Sequence, residues 1–151
     1  MRYRERLTVP VSWWGIGLFF AVSFATAVGF WVGPVVSLVA GAASALLVAA
    51  ALTWFGRTLV VVDDRGLAAG EALLEWEWLG EVVVHDAAAT RDRLGRDADH
   101  RAYLVVRGYI RTSVEVEVAD PEDPHPHWVV STRHPRELAA AIAARRSMMP
   151  R

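Results

Sequence analysis

The apolar positions of this chain follow two regimes. From Leu7 to Gly56, 50 residues pass without a charged side chain, and Ala, Val, Leu, Phe, Trp and Gly fill most of them. A helix needs about 20 mostly apolar residues to cross ~30 Å of hydrocarbon, so the run has room for two crossings. Gly29, Gly33 and Pro34 interrupt it near its middle. Pro34 has no N–H with which to continue a helix, which predicts a turn there and two helices, about 11–31 and 35–55. A cleaved signal peptide would be shorter, and a second apolar span would not follow it at once.

After Gly56 the apolar run ends and short extended segments take over. Thr58 to Val62 is a β-branched strand stopped by the turn cluster Asp63-Asp64-Arg65-Gly66. Leu67 to Ala69 and Ala72 to Trp76 form a second, interrupted extended stretch, and Glu77 to Gly80 a short helical turn leading into Glu81 to His85. Asp86 to Arg101 has mixed charge and no period; it reads as an exposed loop with room for a helical turn at Ala87 to Leu94. Ala102 to Val106 follows. Val114, Val116 and Val118 then alternate with Ser113, Glu115 and Glu117, the pattern of a half-buried strand. Pro121, Pro124 and Pro126 make a loop, Trp128 to Ser131 a last strand, and Pro135 opens a helix at about 135–146 with Leu138 and Ile142 on its apolar side. Six short strands closed by one helix predict a curved antiparallel sheet or open barrel with the helix over an open edge or end.

The predicted fold is therefore an α+β membrane protein. Residues 1–10 are a cytoplasmic N-terminal segment, 11–56 a transmembrane hairpin, and 57–151 a small antiparallel β domain closed by a C-terminal helix. Aromatic residues support the hairpin: Trp13 and Trp14 begin the first helix, Phe30 and Trp31 end it, and Trp54 and Phe55 end the second. Arg2, Arg4 and Arg6 precede the first span, Arg57 and Arg65 follow the second, and the turn is uncharged, which predicts both termini in the cytoplasm and a multi-pass protein of the plasma (inner) membrane. Gly17, Ala21, Ala25 and Gly29 recur every four residues, as do Ser37, Gly41, Ala45 and Ala49, and these small-residue stripes are expected to face each other. No ionisable residue lies in either span, so the marks of a proton relay or ion path are missing.

Composition narrows the chemistry. The chain has no Cys, which removes disulfides, thiolate metal sites and a cysteine nucleophile. All 16 basic residues are Arg; from Arg57 onward 13 Arg face 16 acidic residues, a balance of −3 with His neutral that does not suit a nucleic-acid binder.

Three groups invite a chemical reading. His125-Pro126-His127 with Glu122 and Asp123 carries metal-ligand types, although a polar Pro-rich turn explains the same residues. Arg91, Arg93, Arg96, Arg101, Arg107 and Arg111 suit anionic headgroups or a phosphate, and interleaved Asp92, Asp97 and Asp99 suggest plain surface pairing. Trp76 and Trp78, alternating with Glu75 and Glu77, suit a groove, or a core or interfacial place. There is no Gly-rich phosphate loop, G-x-S-x-G elbow or His-Glu-x-x-His helix.

The residues Tyr3-Arg4-Glu5-Arg6-Leu7 with Pro10, the Gly33-Pro34 turn, Arg107-Gly108-Tyr109-Ile110, and Asp120-Pro121 followed by Trp128 and Ser131-Thr132-Arg133 resemble an actinobacterial membrane family, the domain of unknown function numbered three-zero-nine-three. The resemblance covers nearly the whole chain and implies no catalytic residues. By strand order and final helix, the β domain also resembles the bacterial pleckstrin-homology-like (PH-like) modules that follow two membrane helices in other small proteins. The expectation is a non-enzymatic, membrane-anchored interaction or assembly module without catalytic, cofactor or metal site. Its expected partners are the lipid bilayer and another protein or a second copy, with no nucleic acid. The alternative is a lipid or small-ligand sensor with a pocket between the β domain and the bilayer.

Overall fold

The computed structural model describes residues Tyr3–Met148, and they divide into two compact units. One is the apolar hairpin, residues 8–57; the other is a β module made of residues up to Leu7 together with those from Thr58 onward.

In the hairpin, α1 (Val11–Val32) and α2 (Pro34–Phe55) are joined by Gly33 alone. Gly33 has φ +100°, a value that side-chain-bearing residues rarely adopt, and Pro34 starts α2 where its missing N–H costs no helical bond. Each helix has 22 residues, about 33 Å of rise. The expected stripes do meet. A Cβ on Gly41 would lie 2.8 Å from that of Ala25 and one on Gly29 3.0 Å from the Ser37 hydroxyl, while Gly17 sits against Val48. Only small residues permit such an approach. The Ser37 hydroxyl crosses the seam to donate to the Ala25 carbonyl at 2.6 Å. Thr26, Ser44 and Thr53 donate to carbonyls of their own helix, so no hydroxyl among these four demands water. Ala21 is the one fully buried residue of the two helices; Phe19, Phe20, Leu38 and Leu47 point outward and exposed.

Among the described residues the module contains eight strands, in two sheets of four. The first is an antiparallel meander of β1 (Tyr3–Arg6), β2 (Leu59–Val62), β3 (Gly66–Ala69) and β4 (Ala72–Glu75), in that spatial order. A short 3-10 turn, Trp76–Trp78, leads to the second sheet, β5 (Leu79–His85), β6 (Tyr103–Val105), β7 (Ser113–Val118) and β8 (His127–Ser131), ordered β5-β7-β8-β6. All pairings are antiparallel except β6 with β8. The closing helix α4 (Pro135–Arg146) buries Leu138, Ala141 and Ile142. The core brings together Leu7, Val60, Val62, Leu67 and Leu74 of the first sheet side with Leu79, Val114, Val116, Trp128 and Val130 of the second and Leu138 and Ile142 of α4.

Four readings of the sequence change here. Residues 1–10 are not a segment apart: Tyr3–Arg6 is the first strand, in register from Tyr3 opposite Val62 to Arg6 opposite Leu59. Its core-facing positions are Tyr3, Glu5 and Leu7, and the carboxylate in that row hid the alternation. The interrupted stretch from Leu67 to Trp76 is a complete hairpin, β3 and β4, because Gly70 and Glu71 turn the chain between Ala69 and Ala72. The helical turn lies at Trp76–Trp78 rather than Glu77 to Gly80. In the expected loop from Asp86 to Arg101, Ala87–Leu94 forms a full helix, α3, capped by Asp86, whose carboxylate accepts the N–H groups of Ala88 and Ala89 at 2.9 Å.

Candidate functional site

The densest polar cluster of the module sits where the chain leaves for the hairpin and returns from it. Leu7 N–H donates to the Thr58 carbonyl at 2.9 Å, so the two exits lie side by side. Just behind them the Glu5 carboxylate, 9% exposed, accepts from the Tyr3 hydroxyl (2.7 Å), the Thr132 hydroxyl (2.5 Å) and the Arg133 N–H (3.0 Å). Burial works to raise its pKa, but the donors from Thr132, Tyr3 and Arg133 outweigh it and hold the carboxyl below its usual range. The Tyr3 phenol, buried beside that carboxylate, is pushed well up. Glu5 thus fastens the first strand to the bend between β8 and α4. Around it, Tyr109 donates its hydroxyl to the Leu7 carbonyl at 2.7 Å and Arg107 reaches the Thr58 hydroxyl.

A second cluster docks α3 on the outer face of the second sheet. The Arg93 guanidinium grips Glu115 with two bonds of 2.8 Å, and His85 Nε2 lies 2.8 Å from the same carboxylate. The Arg93 fork drives the Glu115 pKa down to about 2, against burial and with help from His85. The Thr90 and Ser113 hydroxyls meet at 3.0 Å in the buried part of this contact. Beside it a shallow groove of about 200 Å³ is lined by Glu81, Val83, Glu115, Glu117 and His127. Three of its side chains are engaged, Glu115 with Arg93, Glu117 with the Glu81 N–H and His127 with Asp99.

The chain was compared with protein families, curated proteins and solved structures. Residues 2–142 match the family described as "Protein of unknown function (DUF3093)". The chain belongs to this family. Neither the curated proteins nor the solved structures gave a match. The matched residues span β1, the hairpin, the later strands and the first part of α4.

The residues singled out in the DUF3093 sequence do not converge. His125 turns back on Asp123, with Nδ1 3.1 Å from the carboxylate, and packs edge-on against Tyr103. His127 instead reaches Asp99 at 3.1 Å, and Glu122 donates its backbone N–H to Asp120. Among the described residues no three His, Asp or Glu side chains group so as to hold a metal ion. Asp99, which also accepts from the Arg101 N–H, has its pKa lowered to about 2, with that backbone bond the leading cause. The arginines part company too: Arg93 takes Glu115, Arg96 lies 3.5 Å from Asp92 and 3.3 Å from Asp97, Arg101 lies 3.5 Å from Asp99, and Arg107 turns to the hairpin exits. Trp76 packs on the core and donates its indole N–H to the Asp63 carbonyl at 3.1 Å; Trp78 stays more than a third exposed. Missing from the sequence reading was the Glu5, Thr132 and Arg133 cluster. Its members lie more than 120 residues apart, and the one usable signal was a lone carboxylate in an otherwise apolar alternation.

Proposed function

We propose that this DUF3093 member is an integral inner-membrane protein whose two apolar helices cross the bilayer as a hairpin and hold a PH-like β module at the cytoplasmic face, where the module serves protein interaction or assembly rather than catalysis. The observation that carries this reading is the pairing of β1 with β2 across the uncharged insertion. A strand on each side of the hairpin belongs to one sheet, so the chain must return to the side from which it left, and two crossings satisfy that. The helices are long and apolar enough to cross by length and composition, and their outward faces are apolar on every side. Arg4 and Arg6 before the hairpin and Arg57 after it favour the cytoplasm for both ends.

Two four-stranded sheets with a C-terminal helix over the core support the PH-like comparison; the parallel β6 and the inserted α3 depart from a plain meander. For an interaction role, the supporting point is that the polar groups with chemical potential are spent on one another: Glu5 on Thr132, Glu115 on Arg93 and Asp99 on His127. Crosslinking in the native membrane, followed by size-exclusion chromatography with light scattering in detergent, tests this role. A defined homo-oligomer or a stoichiometric complex is expected, and a monomer without a partner in both measurements would refute it.

A further inference from the structure

The core of the module occupies one face of the first sheet, where Val60, Val62, Leu67, Ala69 and Leu74 point. The alternate positions Leu59, Val61, Ala68 and Leu73 take no part in that core. Three of them form one row across the sheet: Val61 pairs with Arg4 on one side and Ala68 on the other, and Ala68 pairs with Leu73. Leu73 is 36% exposed, and Leu59, Val61 and Ala68 are partly so. A sheet face left to water ordinarily alternates to polar side chains, so an apolar centre on it marks an interaction surface.

The charges around this centre are sorted by edge. Arg4 and Arg6 stand on the β1 edge; Glu75 on β4, and Glu71 in the turn before it, stand on the opposite edge. All four are exposed, and among the described residues no hydrogen bond or ion pair engages their side chains. Gly70 donates its N–H to the Leu59 carbonyl at 2.9 Å, which sets Glu71 level with Arg6, the partner of Leu59 in the register. Within one module, three strand spacings of roughly 14 Å in all keep the basic and acidic edges apart.

We propose that this face binds a second copy of the chain, sheet on sheet, about a two-fold axis parallel to the strands. That axis lays β1 of one copy over β4 of the other. Arg6 then meets Glu71 of the second copy, Arg4 lies between Glu71 and Glu75, and Val61 covers Ala68, each contact made twice by symmetry. The same axis leaves Leu7 and Thr58 of both copies at one end, as two hairpins in one membrane require. A two-fold axis across the strands fails on both counts, because it stacks arginine on arginine and sends the exits to opposite ends. Aligned sheets pack about 10 Å apart, which lets side chains of this size interdigitate. The dimer rests on the assembly role proposed above and narrows it to one surface and one partner.

Sedimentation equilibrium of the full-length protein in density-matched detergent measures the dimer constant. The wild type should dimerise. Ala68→Glu puts a charge at the centre of the face and should leave a monomer with an unchanged near-ultraviolet circular dichroism spectrum. Arg6→Glu and Glu71→Arg should each weaken the dimer about tenfold, because each turns two attractive pairs repulsive. Combined in one chain, the two changes should return the constant to within about threefold of wild type. Such a repair requires contact between copies, since the two positions lie on opposite edges of one module. Arg91→Gln, on α3, should change nothing. A wild-type monomer overturns the dimer, and so does weakening that the combined variant fails to repair. Association that survives Ala68→Glu and both charge changes overturns this face but leaves the assembly role standing, as does a monomer that crosslinks to a different protein in the native membrane.

Discussion

Replacing Glu115 with Gln isolates the contact that holds α3 to the sheet. The carboxylate bridges Arg93 on α3 and His85 on β5, with the Arg93 and Glu115 side chains 15% and 17% exposed. Lowering its pKa from 4.5 to about 2 corresponds to roughly 3 kcal/mol favouring the folded state, and partial solvent access reduces this to about 2 kcal/mol at neutral pH. Because the folded-state pKa is depressed, that stability is fully present above pH ~4.5 and is lost as pH falls toward ~2. Urea unfolding of the full-length protein in detergent, followed by near-ultraviolet circular dichroism, should show Glu115→Gln less stable by about 2 kcal/mol at pH 7. The gap between variant and wild type should close as the buffer is taken from pH 5 down to pH 2.5. A gap under about 0.5 kcal/mol at pH 7, or one unchanged across that range, would show that the Glu115 carboxylate does not hold α3 to the sheet.

Two further substitutions probe the other joints. Glu5→Ala strands the Arg133 N–H and removes the acceptor of two hydroxyls, and should cost about 2–4 kcal/mol in the same urea assay, with faster hydrogen exchange at the Leu7 amide. Glu5→Gln should recover part of the loss. In the hairpin, Gly41→Val puts a side chain against Ala25 and should destabilise the helix pair by about 1–3 kcal/mol in thermal unfolding, whereas Gly15→Val, with open space around it, should change it by under about 0.5 kcal/mol.

What could be read from the sequence was set by local periodicity. The apolar run, its break at Gly33-Pro34 and the small-residue stripes are patterns of neighbouring residues, and the helices Val11–Val32 and Pro34–Phe55 follow them. The alternation of Val114, Val116 and Val118 likewise marks the buried side of β7. Contacts between distant segments leave no such trace. Nothing near Tyr3 says that it pairs with Val62, 59 residues later, and Glu5 at an inward position argues against a strand until Thr132 and Arg133 are known to meet it. Helix α3, foreseen only as room for a helical turn, is half polar and rests on Thr90, Arg93 and the Asp86 cap, contacts that local periodicity does not show.

A hairpin that crosses the membrane twice returns the chain to one cytoplasmic module and leaves its turn on the other side. The natural sequence has no cysteine, so single cysteines report without background. One is placed at the hairpin turn by Trp31→Cys, and another in the exposed β3–β4 turn by Glu71→Cys. In intact cells a membrane-impermeant maleimide should label the first and reach the second only after permeabilisation. Labelling of both from outside, or protection of both, would rule out a double crossing with the module in the cytoplasm.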